Sequence, residues 1–211
     1  MTCLNRKKIT KTENKQTNGG QKMGLYKQVR ELWKRPKDSL KELNKQRLIQ
    51  WRREPSTIRI KRPTRIDRAR SLGYRAKEGI MVIRQRVSKG GRMRESFSSG
   101  RRPKHMRRKK IVAKNYQQIC EERVSRKYTN CEIINSYKVA EDGLYYWYEV
   151  IIADKYSPSI INDKKLGWVL FSKGKSFRGL TSAGRKSRGL NKKGIGAEKI
   201  RPSLRAKGRR H

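Results

Sequence analysis

The stretch NSYKVAEDGLYYWYEVIIAD, residues 135–154, decides the fold. Asp142-Gly143 at its centre is a strong two-residue hairpin signal, because such turns need the positive φ that glycine adopts without cost. On either side the residues alternate as strand side chains do. Before the turn, Ile133, Asn135, Tyr137 and Val139 are expected on one face. After it, a strand from Leu144 to Ala153 sets Tyr146, Tyr148, Val150 and Ile152 on one side. The hairpin also lies in an acidic island, residues 129–154, where Glu132, Glu141, Asp142, Glu149 and Asp154 face a single base, Lys138.

Working outward, residues 113–128 read as a helix, with Tyr116, Ile119, Cys120 and Val124 at helical spacing. Trp168–Phe171 is expected to add a strand. The segment 113–171 is thus a small α/β core. Upstream, Ile80–Val87 reads as a strand whose Arg84 and Arg86 share a face, followed by a turn at Gly90-Gly91. Tyr26, Val29, Leu32 and Trp33 define one helix, stopped by Pro36. Asp38 or Ser39 is the expected cap of a second, carrying Leu40, Leu43 and Leu48 to Trp51 and closed by Pro55.

The rest of the chain is a cation. Over 211 residues, 58 Lys+Arg stand against 17 Asp+Glu, a formal net charge of +41. Charged residues make up 36% of the chain, against roughly 25% in an ordinary domain. Such a chain repels itself unless a polyanion supplies counter-charge. Nucleic acid is the leading partner, since phosphate contacts release condensed counterions. A membrane surface would call for an amphipathic helix with a broad apolar face, and none is found. Strongly apolar runs reach only four residues, as in Ile80–Ile83, far short of the roughly 20 that span a bilayer. Residues 1–22 lack the apolar stretch of a secretion signal and are expected to be a disordered extension, with Met23-Gly24 as a second start. The expected organisation is that extension, an α/β core over 23–172 with inserted basic loops at 59–112, and a basic tail over 173–211 that orders only on its partner. Ser96–Lys110 is expected to be an extended loop with no core of its own.

Catalytic and metal chemistry find little support. Cys3, Cys120 and Cys131 form no CxxC pair, and His105 and His211 are the two histidines, so zinc ligation is not expected. Cys120 and Cys131 read as small buried hydrophobes. Gly179–Ser187, GLTSAGRKS, has one residue too many before its lysine for a phosphate-binding loop, which works by fixed register. It reads instead as a flexible segment able to approach RNA closely. Arg62–Arg70, RPTRIDRAR, has few balancing acids and is assigned to phosphate gripping. Tyr145, Tyr146, Trp147 and Tyr148 could stack on bases, but their acidic setting favours a role in the core. The pair Glu121-Glu122 is expected to form salt bridges to nearby arginines, because adjacent helical residues do not face each other.

Three long stretches carry a resemblance: RPTRIDRARSLGYRAKEGIMVIRQRVSKGGRMR at 62–94, NSYKVAEDGLYYWYEVIIAD at 135–154 and FRGLTSAGRKSRGL at 177–190, with MGLYKQVRELWKRPKD opening at Met23. Together they resemble the archaeal and eukaryotic large-subunit ribosomal protein fifteen family (the e-type), most closely its archaeal form. The resemblance covers about residues 23–211. Residues 1–22 and the loop around Ser96–Ala113 depart from it. It implies an α/β fold, with a small, mainly antiparallel sheet flanked by helices and long basic rRNA-binding extensions. It implies a structural constituent of the large subunit that stabilises rRNA in the cytoplasmic ribosome and has no catalytic role. The implied partners are large-subunit rRNA and neighbouring ribosomal proteins, with no membrane and no small-molecule substrate. No cofactor is expected beyond the Mg²⁺ or monovalent ions that accompany rRNA. Carried over by position, the implied RNA contacts are Arg62, Arg65, Arg68, Arg70, Arg75, Lys77, Arg84, Arg86, Arg92, Arg178, Arg185, Lys186 and Arg188. Gly90, Gly91, Gly179 and Gly184 would allow close backbone approach.

Overall fold

The computed structural model describes residues 24–101, 103–105, 107–191, 194, 195, 197 and 200. Residues 1–22, Cys3 and His211, on which expectations were placed, lie outside them. Helices α1 (Leu25–Lys34), α2 (Pro36–Ser39) and α3 (Lys41–Arg53) lead into strand β1 (Thr57–Ile60), helix α4 (Ile66–Ser71) and strand β2 (Ile80–Ser88). Strands β3 (Arg92–Met93) and β4 (Lys109–Lys110), helix α5 (Tyr116–Lys127) and strands β5 (Cys131–Glu141) and β6 (Tyr145–Asp154) follow. Helices α6 (Pro158–Ile161), α7 (Trp168–Phe171) and α8 (Ser182–Ser187) complete the order. Four strands form an antiparallel sheet in the order β1-β2-β6-β5, while β3 and β4 pair by themselves.

The central strands β2 and β6 are rich in β-branched and aromatic residues and bury both faces, so their sequences run almost continuously apolar. On one face Val82, Tyr137, Val139, Trp147, Ile151 and Ala153 join Trp51 of α3, Ala69 of α4, Ile160 of α6 and Val169 of α7. On the other, Ile83, Val87, Ile133, Tyr148, Val150 and Ile152 pack on Cys120 and Val124 of α5. Asn115 starts α5 by accepting a hydrogen bond from the Gln118 N–H at 2.7 Å, which satisfies one of the free donors of its first turn.

Several expectations need correction. Ile133 does not share a face with Tyr137 and Val139. Pairing steps from Ile133 opposite Ile152 to Asn135 opposite Ile151, leaving Ile134 as an extra residue. Such a bulge shifts the alternation by one and sends Ile133 to the α5 side. A second irregularity falls between Lys138 and Ala140. Trp168–Phe171 is a helical turn, not a strand. Its backbone is satisfied locally, with the Leu170 N–H on Gly167 O at 3.2 Å and the Ser172 N–H on Val169 O at 3.2 Å. A four-residue apolar run does not distinguish the two states by periodicity. Pro36 does stop α1, but it then opens α2 at its first position, where a missing N–H costs nothing. Asp38 and Ser39 therefore lie inside α2, and Leu40, at the N-cap position before α3, supplies no side-chain cap. Strand β1 was not foreseen.

The compact part also runs past residue 172. Ser176, Thr181 and Ala183 are buried, and α8 packs on α5. Among the described residues no helix is long and apolar enough to cross a membrane.

Candidate nucleic-acid interface

The segment Arg62–Arg75 is held at its start by a buried acid. Glu149, on β6, is fully buried and accepts the Thr64 N–H at 3.1 Å and the Tyr137 hydroxyl. Burial raises its carboxyl above the ordinary carboxylate range, against those hydrogen bonds. From this anchor the segment lays arginines on the surface: Arg68 and Arg70 on α4, with Arg62 before it and Arg75 after it, are exposed. Arg70 lies over the Tyr26 ring at 5.3 Å, so α1 and α4 meet through a cation–π contact. Arg65 is only partly exposed. It covers Trp33 at 4.8 Å and lies 3.6 Å from Asp67. Lys77 is tied to Asp163 at 3.0 Å, and that ammonium holds the Asp163 carboxyl below its ordinary value.

Arg84 and Arg86 share a face, as alternation requires, but that face is covered. Arg84 is 8% exposed, pairs with Glu54 and lies 4.3 Å over Trp51. Arg86 lies 4.7 Å over Tyr145 and donates to the Arg52 carbonyl at 2.6 Å. These two guanidiniums clamp α3 to the sheet. Tyr145 and Tyr146 are likewise occupied, the latter by Lys89 at 4.5 Å and Lys138 at 5.0 Å, while Trp147 is buried.

Beyond β2 the chain leaves the body. Every described residue from Gly90 to Lys114 is exposed, including Gly91 and Arg92, and β3 and β4 make a short ribbon within it. Arg92, Arg94, Arg101, Lys104, Arg107, Arg108, Lys109 and Lys110 stand there with one acid, Glu95. The arm is pinned at its root. The Tyr116 hydroxyl accepts the Gly90 N–H at 3.0 Å and donates to the Gly90 carbonyl at 2.9 Å, and its ring packs on Tyr146 at 4.8 Å.

The third cationic group surrounds α8. Thr181 donates to the buried Glu121 at 2.5 Å and accepts the Gly184 N–H at 3.1 Å, so one hydroxyl both caps α8 and ties it to α5. Glu121 also accepts from Ser136, and burial raises its carboxyl. Among the described residues it forms no arginine salt bridge. Its neighbour Glu122 instead pairs with Lys114 at 2.8 Å and more loosely with Arg126 at 3.9 Å. Gly179 and Gly184, assigned to backbone approach to RNA, approach each other: a Cβ on Gly184 would lie 2.6 Å from Gly179 Cα. Gly179 itself has φ +63°. Arg188 is partly buried and donates to Gly179 O at 3.3 Å. Arg178, Arg185 and Lys186 remain exposed.

The predicted set therefore divides. Arg62, Arg68, Arg70, Arg75, Arg92, Arg178, Arg185 and Lys186 face outward. Arg65, Lys77, Arg84, Arg86 and Arg188 are committed to internal contacts. Sequence reading missed Arg30, which shares a cleft with Arg65, Arg68 and Lys138. It also missed the exposed aromatics Phe171 and Phe177, the latter 5.7 Å beneath Arg126. Arg30 sits on the flank of the apolar face of α1, one turn before Trp33. Among the described residues no group of three or more His, Cys, Asp and Glu could hold a metal, and Cys120 and Cys131 are buried free thiols.

A small two-faced α/β body that pairs or buries many of its acids and keeps a set of arginines and lysines turned outward is a polyanion-binding protein. The chain belongs to the family described as Ribosomal L15 (the L15e model), which matches residues 24–207. Among curated relatives, the large ribosomal subunit protein eL15 of Nanoarchaeum equitans is 53% identical over 186 residues, covering 87% of this chain and 98% of the relative. The protein of the same name from Methanospirillum hungatei is 52% identical, covering 88% and 97%. That of Methanocorpusculum labreanum is 50% identical, covering 85% and 94%.

Proposed function

We infer that this chain is a structural constituent of the large ribosomal subunit in the cytoplasm, binding and stabilising its rRNA, and that it is not an enzyme. One observation carries the reading. Asp142, Asp163, Glu54, Glu122 and Glu132 are paired within the fold by Arg52, Lys77, Arg84, Lys114 and Lys155, and Glu121 and Glu149 are buried. The cations of α4, the arm and the surroundings of α8 are left turned to solvent. Folding thus concentrates positive charge outward, where phosphates neutralise it. The exposed guanidiniums position the chain on RNA as bidentate phosphate ligands. Neighbouring ribosomal proteins complete its surroundings. It needs no cofactor of its own beyond the ions that accompany the RNA. The test is sedimentation: the tagged chain, followed through a sucrose gradient, travels with the large subunit and resists a salt wash. Persistent absence from that fraction refutes the reading. Equal competition by duplex DNA and rRNA would point instead to a general nucleic-acid coat.

A further inference from the structure

A cleft of about 680 Å³ opens between α1, α4, α5 and β5, within the range of roughly 300–1,000 Å³ of pockets that enclose small ligands. Its floor and rim differ in charge. Asp67, Ser136 and Tyr137 are 5%, 3% and 4% exposed and form the floor. Arg30, Arg68 and Lys138 are exposed and form the rim. Lys138 is shared with Glu141 at 2.9 Å, but among the described residues no ion pair engages Arg30 or Arg68. Two buried polar atoms beside the cleft have no hydrogen-bond partner among the described residues, Asp67 Oδ1 and Arg65 Nε. Buried polar groups are nearly always satisfied. Here one acceptor and one donor stand together.

We propose that this cleft takes one nucleotide extruded from a single-stranded segment of RNA, with its base inward and its phosphate at the rim. The proposal rests on the ribosomal reading and specifies one contact within it. The orientation follows from the charges: at the floor the Asp67 carboxylate is offset by Arg65, 3.6 Å away, while two uncommitted arginines at the mouth attract phosphate. Extruded bases are read by hydrogen bonds to the Watson–Crick edge. Guanine suits the floor best. It sets two N–H donors beside a carbonyl, the complement of the Asp67 carboxylate beside the Arg65 guanidinium.

The experiment uses large subunits carrying the chain as wild type, as Asp67→Asn, or as Arg30→Ala with Arg68→Ala. Unpaired guanines are probed with kethoxal and unpaired adenines and cytosines with dimethyl sulfate. One nucleotide protected in the wild-type particle should gain about tenfold reactivity in both variants, the loss expected for a charged contact. Flanking helices should stay unchanged. Arg30 and Arg68 are exposed, so their variant folds even where Asp67→Asn does not. If particles containing either variant at full occupancy show no change at any single nucleotide, the proposal is overturned. Saturable micromolar binding of guanosine monophosphate to the free protein would overturn it too, reassigning the cleft to a soluble nucleotide. Wild-type subunits that lack the chain altogether would refute the ribosomal reading instead.

Discussion

Glu149 sits on a central strand of the sheet with hydrogen bonds and, among the described residues, no ion pair, and its role is to hold Thr64 and Tyr137. A glutamine keeps both acceptor contacts, so Glu149→Gln should unfold within about 1 kcal/mol of wild type, whereas Glu149→Ala strands two buried donors and should cost about 3 kcal/mol in urea denaturation. Burial raises the carboxyls of Glu121 and Glu149 above their usual 4.5. The folded state therefore keeps these protons longer than the unfolded chain does. Their contribution is complete below that value and is lost as pH rises through the raised ones. Unfolding free energies followed from pH 4 upward should show this decline in the wild type and not in Glu121→Gln with Glu149→Gln. Gly184→Ala sets a Cβ against the Gly179 backbone and should lose about 1–3 kcal/mol by calorimetry. Arg185→Ala, at an exposed position, should leave stability within about 0.5 kcal/mol while weakening RNA retention.

Among elements, the arm between β2 and α5 separates most sharply from the body. Met93 and Lys109 face each other across the ribbon, so replacing residues 94–108 by Asn-Gly leaves a two-residue hairpin in register. Thermal unfolding should shift by less than about 1 kcal/mol, while rRNA affinity falls; equal losses in both would show that the arm is part of the core. Its character was legible because apolar residues are scarce there. The hairpin was legible too, from the strand pattern on both sides, but its turn is not the expected one: Gly143 has no positive φ, and the Asp142 carboxylate accepts the Leu144 and Tyr145 N–H groups instead. The bulge at Ile134 was not legible, because period-2 reading has no way to register an extra residue. Strand β1 escaped notice as four residues containing an arginine, which pair only because β2 presents a free edge. The site was half legible: charge composition marks cations but not which ones fold inward. Arg84 and Arg86 look in sequence like Arg62 and Arg68, and only the stacked rings of Trp51 and Tyr145 set them apart.

At the scale of the whole molecule, the charge sets a quantitative expectation. If roughly ten phosphates of looped RNA are neutralised, log affinity should fall with log salt at a slope of about −7. Each outward arginine removed, Arg62 or Arg178 for instance, should reduce that slope by about 0.7; titrations between low and moderate salt measure it. Arg84→Ala should instead act through stability, with the slope unchanged. The two margins of the sheet bear on a different stage of the protein's life. One is a strand of four residues, and the other departs twice from regular pairing and carries an outward lysine. Neither offers a second copy a straight run of backbone donors and acceptors to zip onto. A newly made chain can thus wait in solution for its RNA without fibrous self-association, kept apart from its siblings by blunted borders as well as by like charge.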